Sequence, residues 1–98
     1  MKGASFNRLA RRELAEAVRH YESESQGLGD RLLEEVFQAL AILLRHPEAA
    51  PQTRGSIRRF VLQKFPYCLL YRPTGAGRLR ILAVAHQKRD PEYWIGRQ

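Results

Sequence analysis

The apolar residues of this 98-residue chain change their spacing once, between Pro47 and Pro51. Before this stretch they recur at the spacing of one helix face, and after it they form short runs bounded by turn residues, which is typical of strands. Each helix then carries an apolar stripe that only a second layer can bury. The sequence therefore predicts one α+β domain over residues 1–98, in which an N-terminal antiparallel helical hairpin packs on a small antiparallel β-sheet.

Two amphipathic helices account for the N-terminal half. Their apolar stripes consist of Leu14, Ala17, Val18 and Tyr21 in the first helix, and of Leu32, Leu33, Val36, Phe37, Leu40, Leu43 and Leu44 in the second. Ser5 or Asn7 can cap the first helix, because a short polar side chain accepts a hydrogen bond from a free N–H group there. Gly27 and Gly29 interrupt the pattern between the helices, and Pro47 ends the second. A connection this short favours an antiparallel hairpin.

Strands and turns alternate in the C-terminal half. The predicted elements are strands at residues 57–62, 67–72 and 79–85, a leading strand at 4–6, a loop over 48–55, turns at 65–66 and 73–77, and a short C-terminal helix over 91–97. Connections of a few residues favour antiparallel neighbours. Asp90 and Pro91 suit the cap and the first position of the terminal helix.

The charge of the chain is strongly asymmetric. The net charge is +7, but residues 1–44 carry six Lys/Arg against seven Asp/Glu, whereas residues 45–98 carry eleven against three. A basic C-terminal half predicts contact with something anionic, such as nucleic acid, a nucleic-acid enzyme or an acidic protein.

Several classes of protein are excluded by composition. Cys68 is the only cysteine, so no internal disulfide can form, and its neighbours indicate an ordinary strand residue. No apolar run approaches the roughly 20 residues of a membrane span, and the N-terminus does not resemble a secretory signal. Histidines and cysteine are scattered, so the sequence predicts no metal site and no cofactor. We therefore expect a cytoplasmic protein that has no contact with the membrane.

The third predicted strand has two different faces if its side chains alternate strictly. One face would carry Leu79, Ile81, Ala83 and Ala85, and the other Arg78, Arg80, Leu82, Val84 and His86. The apolar row predicts contact with the helices, and the second row predicts a basic surface on the uncovered face. Basic sheet surfaces with nearby aromatic residues suit single-stranded RNA, because cations bind phosphates and rings stack on bases. Tyr93 and Trp94 either supply such rings or fasten the C-terminus to the core.

His86 is the one histidine in a plausible site. Its imidazole can exchange protons near neutral pH, and RNA cleavage needs a base for the 2′-hydroxyl and an acid for the leaving oxygen. Nearby arginines would stabilise the additional negative charge of the transition state. A histidine at a strand end is also a common structural hydrogen-bonding residue, so both interpretations stay open.

Several short phrases follow one another in a fixed order along nearly the whole chain. They are Glu13-Leu14-Ala15-Glu16-Ala17, Tyr21-Glu22, Gly27-Leu28-Gly29-Asp30-Arg31-Leu32, His46-Pro47, Arg58-Arg59-Phe60, Phe65-Pro66-Tyr67, Tyr71-Arg72, Ala83-Val84-Ala85-His86 and Arg89-Asp90-Pro91-Glu92-Tyr93-Trp94. As a collinear set they resemble the ParE/RelE superfamily of toxins from bacterial type II toxin–antitoxin systems, and its ParE branch in particular. The resemblance implies a helical hairpin on an antiparallel sheet and a cognate antitoxin, with an acidic toxin-binding segment, that neutralises the toxin.

The antitoxin is expected to occupy apolar surface left over on the helical hairpin. Disordered acidic segments commonly fold when they bind such a groove. The residues predicted to line part of it are Leu9, Tyr21 and Leu28.

The two branches of the superfamily imply different targets. RelE-like members cut messenger RNA in the ribosome, and here that reading would make Arg59, His86, Arg89 and Tyr93 the catalytic set. ParE-like members are associated with poisoning DNA gyrase. The paired lysines of a RelE-type site are not evident between residues 50 and 64, where only Lys64 occurs, so we favour gyrase. A toxin-like binding module without activity is a third possibility.

In either branch the basic C-terminal half is expected to contact the target or the partner. The residues predicted to form this surface are Arg58, Arg59, Arg78, Arg80, Lys88, Arg89 and Trp94.

Overall fold

Two helices and five strands make up the fold in the computed structural model, which describes residues 3–98. The elements are β1 (Ala4–Phe6), α1 (Arg8–Glu24), α2 (Leu28–Arg45), β2 (Gln52–Arg54), β3 (Ile57–Val61), β4 (Tyr67–Gly75) and β5 (Arg78–His86). All strands join one sheet in the order β1-β5-β4-β3-β2, in which only β1 and β5 pair in parallel. The predicted α+β class, helical hairpin, leading strand and meander are thereby confirmed.

The main core lies between the helical hairpin and one face of the sheet. Its fully buried residues include Leu32, Val36, Leu40 and Leu43 from α2, and Leu69, Tyr71, Leu79 and Ile81 from the strands. Each such aliphatic side chain contributes about 1.5–3 kcal/mol when it leaves water. Within residues 3–98, no helix is both long and apolar enough to cross a membrane.

Asn7 caps α1 by accepting a hydrogen bond from Leu9 N at 2.7 Å.

Glu22 and Gly29 shape the connection between the two helices. At the start of α2 the Glu22 carboxylate accepts hydrogen bonds from Gly27 N at 2.9 Å and Gly29 N at 3.1 Å. A carboxylate stabilises this end because it pairs free N–H groups and opposes the positive end of the helix dipole. Gly29 is needed for close approach, since a Cβ there would lie 2.6 Å from Val18 O.

The predicted loop over residues 48–55 contains a short strand. Gln52–Arg54 forms the outer edge of the sheet as β2 and pairs with β3. All three of its residues are exposed, so no alternation of apolar and polar residues marks it in the sequence.

The predicted C-terminal helix is not formed. Residues 91–96 make successive turns, with Ile95 N bonded to Glu92 O at 3.1 Å and Arg97 N bonded to Trp94 O at 3.1 Å. The Pro91 carbonyl, which in an α-helix would accept from Ile95 N, instead accepts from the Trp94 indole Nε1 at 2.8 Å. The tryptophan side chain therefore takes the place of the helical hydrogen bond.

A β-bulge at Leu82 corrects the predicted faces of β5. Tyr71 pairs with Ile81 and Leu70 with Ala83, so Leu82 is an extra residue. The bulge reverses the alternation after Ile81, and Val84 therefore packs in the main core. The predicted apolar row is wrong at two positions, because Ala83 and Ala85 lie on the outer face of the sheet, away from the helices.

Gly29→Ala is expected to lower the free energy of unfolding by about 1–3 kcal/mol, because the added methyl group overpacks the contact with Val18. Helix propensity alone would give the opposite sign, about 1 kcal/mol of stabilisation. Urea denaturation measures the difference. Ala41→Gly, at an exposed site of α2, is the matched control and should lose only the roughly 1 kcal/mol that helix propensity predicts. If Gly29→Ala were more stable than the wild type, the close packing against Val18 would be contradicted.

Candidate functional site

The segment of residues 90–98 packs across part of the outer face of the sheet and forms a second core. Trp94 is 3% exposed and is buried in one apolar cluster with Cys68, Leu70, Ala83 and Ala85. Its indole is also held by the hydrogen bond to Pro91 O. The sequence analysis placed Trp94 on a basic surface, and this placement is wrong, because the side chain is buried and anchors the C-terminal segment.

Glu13 and Arg97 complete the edge of β5 beyond the end of β1. The Glu13 carboxylate accepts from Val84 N at 3.0 Å, and Arg97 Nη1 donates to Leu82 O at 3.1 Å. The two side chains also pair with each other at 2.9 Å and 3.1 Å. They are only 13% and 12% exposed, so the pair is partly desolvated and depends on its full set of hydrogen bonds. It links α1, β5 and the C-terminal segment.

Tyr93 lies beneath two guanidinium groups beside this pair. The Cζ atoms of Arg89 and Arg97 are 3.8 Å and 4.9 Å from the centroid of its ring, a geometry that attracts a cation to the ring face. Burial raises the pKa of the Tyr93 phenol far above its ordinary value, and the neighbouring Glu13 carboxylate raises it further. The hydroxyl oxygen is buried, and within residues 3–98 no group has the geometry to form a hydrogen bond with it.

The four residues of the predicted catalytic set line one small cavity. Arg59, His86, Arg89 and Tyr93 surround about 50 Å³ between the C-terminal segment and the outer face. Sites for drug-sized ligands enclose about 300–1,000 Å³, so no nucleotide fits here. The structure brings these residues together around a space that is suited to water.

His86 is held by structural contacts. Its Nδ1 accepts from Lys88 N at 3.0 Å, and its ring packs edge-on against Tyr67 at 5.1 Å between centroids. Tyr67 in turn packs on the main core, on the helix side of the sheet. The geometry corresponds to the second of the two interpretations that the sequence left open, a structural histidine at a strand end.

Arg58 does not belong to the outer surface. It donates to Ala50 O at 2.7 Å and to Glu48 O at 3.2 Å, and its side chain is 16% exposed. Arg58 pairs with Tyr71, whose hydroxyl donates to Pro47 O at 2.8 Å. Both side chains hold the connection between α2 and β2, so this prediction is corrected: Arg58 fixes a loop on the helix side.

An arginine cluster remains on the outer face. Arg72 and Arg80 are directly opposite each other on β4 and β5, and Arg78 is exposed two residues before Arg80. Arg80 donates to Ser5 Oγ at 3.1 Å and to Gln98 O at 3.3 Å. We call Arg72, Arg78 and Arg80 the outer arginine cluster. Sequence reasoning missed Arg72, because its position opposite Arg80 depends on the register of β4 and β5.

Lys88 and Arg89 are exposed at the other end of the outer face, and Arg59 is partly exposed. Arg89 lies 3.6 Å from a Glu13 carboxylate oxygen, in addition to its contact with Tyr93. The predicted basic surface is therefore interrupted by the C-terminal segment.

A groove of about 860 Å³ opens on the helix side, between α2 and the turn that joins β3 to β4. Its lining residues are Tyr21, Leu28, Arg31, Glu34, Glu35, Gln38, Ala39, Ile42, Phe60, Gln63, Lys64, Phe65 and Pro66. Two of the three residues predicted for an antitoxin groove, Tyr21 and Leu28, are among them. Leu9 lies apart from the groove, in the first turn of α1.

The groove combines apolar surface with balanced charge. Ile42 is 41% exposed within it, and Tyr21 packs edge-on against Phe65 at 5.0 Å. The Glu35 carboxylate accepts from Gln63 N at 2.7 Å and Lys64 N at 3.3 Å, which fixes the β3–β4 turn against α2. The groove is therefore a preformed apolar surface with both signs of charge at its rim.

Comparisons with known proteins agree with the family resemblance of the sequence over most of the chain. A family model described as the ParE toxin of the type II toxin–antitoxin system parDE matches residues 4–91. A solved structure, described as the chromosomal ParDE TA system from P. aeruginosa, has a TM-score of 0.65 and 18% sequence identity, with 88% of this chain and 96% of that chain covered. At that identity the likeness shows the fold. No curated protein matches the chain.

Tyr93→Phe is expected to weaken the loss of stability at high pH. Folding raises the pKa of Tyr93. The neutral phenol therefore makes its full contribution to the free energy of unfolding below the ordinary tyrosine pKa of about 10, and this contribution is lost as the pH rises toward the raised pKa. Within residues 3–98 the hydroxyl has no hydrogen-bond partner, so little stability should be lost at neutral pH. The measurement is the free energy of unfolding against pH. Tyr21→Phe, at a residue that lines the open groove, should keep most of the wild-type decline; an unchanged decline in Tyr93→Phe would contradict the assignment.

Proposed function

The chain belongs to the ParE toxin family of type II toxin–antitoxin systems, and we propose that it stops bacterial growth by poisoning DNA gyrase until a cognate antitoxin neutralises it. Membership of a toxin–antitoxin family implies the antitoxin partner. The proposal of gyrase as the target is supported by the closer resemblance of the sequence to the ParE branch, and a gyrase poison would act in the cytoplasm.

The closed environment of Tyr93 is the observation that carries the choice of gyrase. An acid or base must reach the proton that it transfers. The Tyr93 hydroxyl is buried beneath Arg89, its pKa is raised by burial, and the cavity beside it measures about 50 Å³. These features support a toxin that acts by binding a protein target rather than by cutting RNA.

A ribosome-dependent endoribonuclease is the second candidate function. It is supported by the meeting of Arg59, His86, Arg89 and Tyr93 around one cavity. For this function the segment of residues 90–98 would have to leave the outer face, which breaks the ion pair of Arg97 with Glu13 and exposes Trp94.

Purified toxin is expected to cause gyrase to accumulate double-strand breaks in plasmid DNA, and to leave messenger RNA intact on purified ribosomes. In cells induced without antitoxin, the DNA damage response should precede any loss of transcripts. Tyr93→Phe should retain this activity, because its hydroxyl touches no substrate in this mechanism, and Tyr21→Phe is the matched control. Early ribosome-dependent cleavage that disappears in Tyr93→Phe would establish the nuclease instead. Normal growth without either signal would rule out an active toxin.

The antitoxin is proposed to bind the groove between α2 and the β3–β4 turn. Its lining includes the predicted Tyr21 and Leu28, together with the exposed Ile42. Because the charges of the groove are balanced, apolar contacts should provide most of the affinity there. Long-range attraction to the net charge of +7 on the toxin would speed the approach of the acidic antitoxin segment without requiring a contact with the outer arginines.

Ile42→Glu is expected to weaken the complex with the cognate antitoxin by tenfold or more, because it places a charge in the apolar part of the groove. Titration calorimetry measures the affinity. Phe37→Glu is a closely matched control, since Phe37 is 42% exposed on the same helix, against 41% for Ile42, but lies outside the groove. Equal affinities for the two variants would show that the antitoxin binds elsewhere.

A further inference from the structure

The outer arginine cluster places three positive charges close together on the outer face. Like charges directly opposite on neighbouring strands are destabilising, and Arg72 faces Arg80 in this way. Across residues 3–98, the ion pairs within 4 Å involve other cations, and none includes Arg72, Arg78 or Arg80. A local conflict of this kind is expected where a surface serves binding rather than stability.

The cluster is presented on rigid elements. Arg72 and Arg80 lie on β4 and β5, the two most extensively paired strands of the sheet. The Arg80 guanidinium is oriented by two hydrogen bonds, in which Nη1 donates to Ser5 Oγ and Nε donates to the backbone oxygen of Gln98. Its Nη2 atom makes no such contact among the described residues, and a planar guanidinium with free donors suits a phosphate group.

The surroundings of the cluster distinguish among anionic partners. Single-stranded nucleic acid needs exposed rings on which its bases stack. On the outer face Trp94 is buried and Tyr93 is covered by Arg89, so no ring is offered. An acidic protein segment would need exposed apolar anchors, but the cluster adjoins Ser5 and the glycine turn at 75–77. Phosphate contacts need neither feature.

We propose that the outer arginine cluster binds the phosphodiester backbone of duplex DNA without regard to sequence. The inference deepens the proposed function and rests on it, since gyrase holds a duplex segment that a bound toxin could contact. The toxin would then touch both components of the enzyme–DNA complex, and the outer face would be its DNA-binding side.

The test uses the purified full chain and a short fluorescent duplex, with binding followed by anisotropy over a range of NaCl concentrations. Wild type should lose affinity steeply as salt rises, because phosphate contacts release counterions. Arg72→Gln/Arg78→Gln should bind about tenfold more weakly at low salt and reduce the slope of log affinity against log salt by about 2. Neither side chain has a side-chain hydrogen bond among the described residues, so folding should be kept, as circular dichroism would verify.

The matched control is Arg12→Gln/Arg19→Gln, which removes the same charge from exposed sites on the helical hairpin. It should retain the wild-type slope. Equal losses in both double variants would mean that net charge alone attracts DNA, and would overturn the proposal. Tighter binding of single-stranded DNA, or of polyglutamate as a model acidic peptide, would also overturn it.

Gyrase poisoning is measured separately on the same preparations, so the two proposals can fail independently. A toxin that poisons gyrase without binding the duplex would overturn the DNA-binding inference alone. A toxin that binds the duplex through the cluster but leaves gyrase unaffected would overturn the proposed target and support the inference about DNA.

Discussion

The Glu13 carboxylate links three parts of the molecule, namely α1, β5 and the C-terminal segment. It accepts from the backbone of β5, pairs with Arg97 and lies within 3.6 Å of Arg89. Because β1 ends at Phe6, the backbone of β5 beyond it would otherwise be left without partners near the protein interior, at a cost of about 1–3 kcal/mol for each group. Together with the buried Trp94, this ion pair holds the C-terminal segment over the second core and encloses Tyr93.

The helices and most strands could be predicted because their signals are local. The stripe from Leu32 to Leu43 repeats at helical spacing, and turn residues separate β3, β4 and β5. The bulge at Leu82 left no such signal. Every residue from Ile81 to Ala85 is apolar, because this part of β5 is buried on both faces, and either assignment of faces therefore fitted the sequence equally well.

The candidate site was predictable by residue type but not by geometry. The sequence indicated Arg59, His86, Arg89 and Tyr93, and these do meet, but it could not show that the Tyr93 hydroxyl is enclosed. That enclosure depends on Glu13 and Arg97, which are 84 residues apart. Arg72 was overlooked for a related reason, since cross-strand register decides which arginine it faces. Tyr21 and Leu28 share the groove because the hairpin folds back on itself, whereas Leu9 is at the far end of α1.

The parallel pairing of β1 with β5 also sets the order in which the chain can fold. Ser5 of β1 pairs with Arg80 of β5 across 75 residues, and Asn7 is hydrogen-bonded to Gln98 across 91 residues. Contacts so distant along a chain form slowly because a long loop must first close. During synthesis the helical hairpin can assemble while the ribosome is still adding the sheet. The edge of β5 and the second core must wait until residues 90–98 have emerged. The nascent chain therefore completes its outer face last.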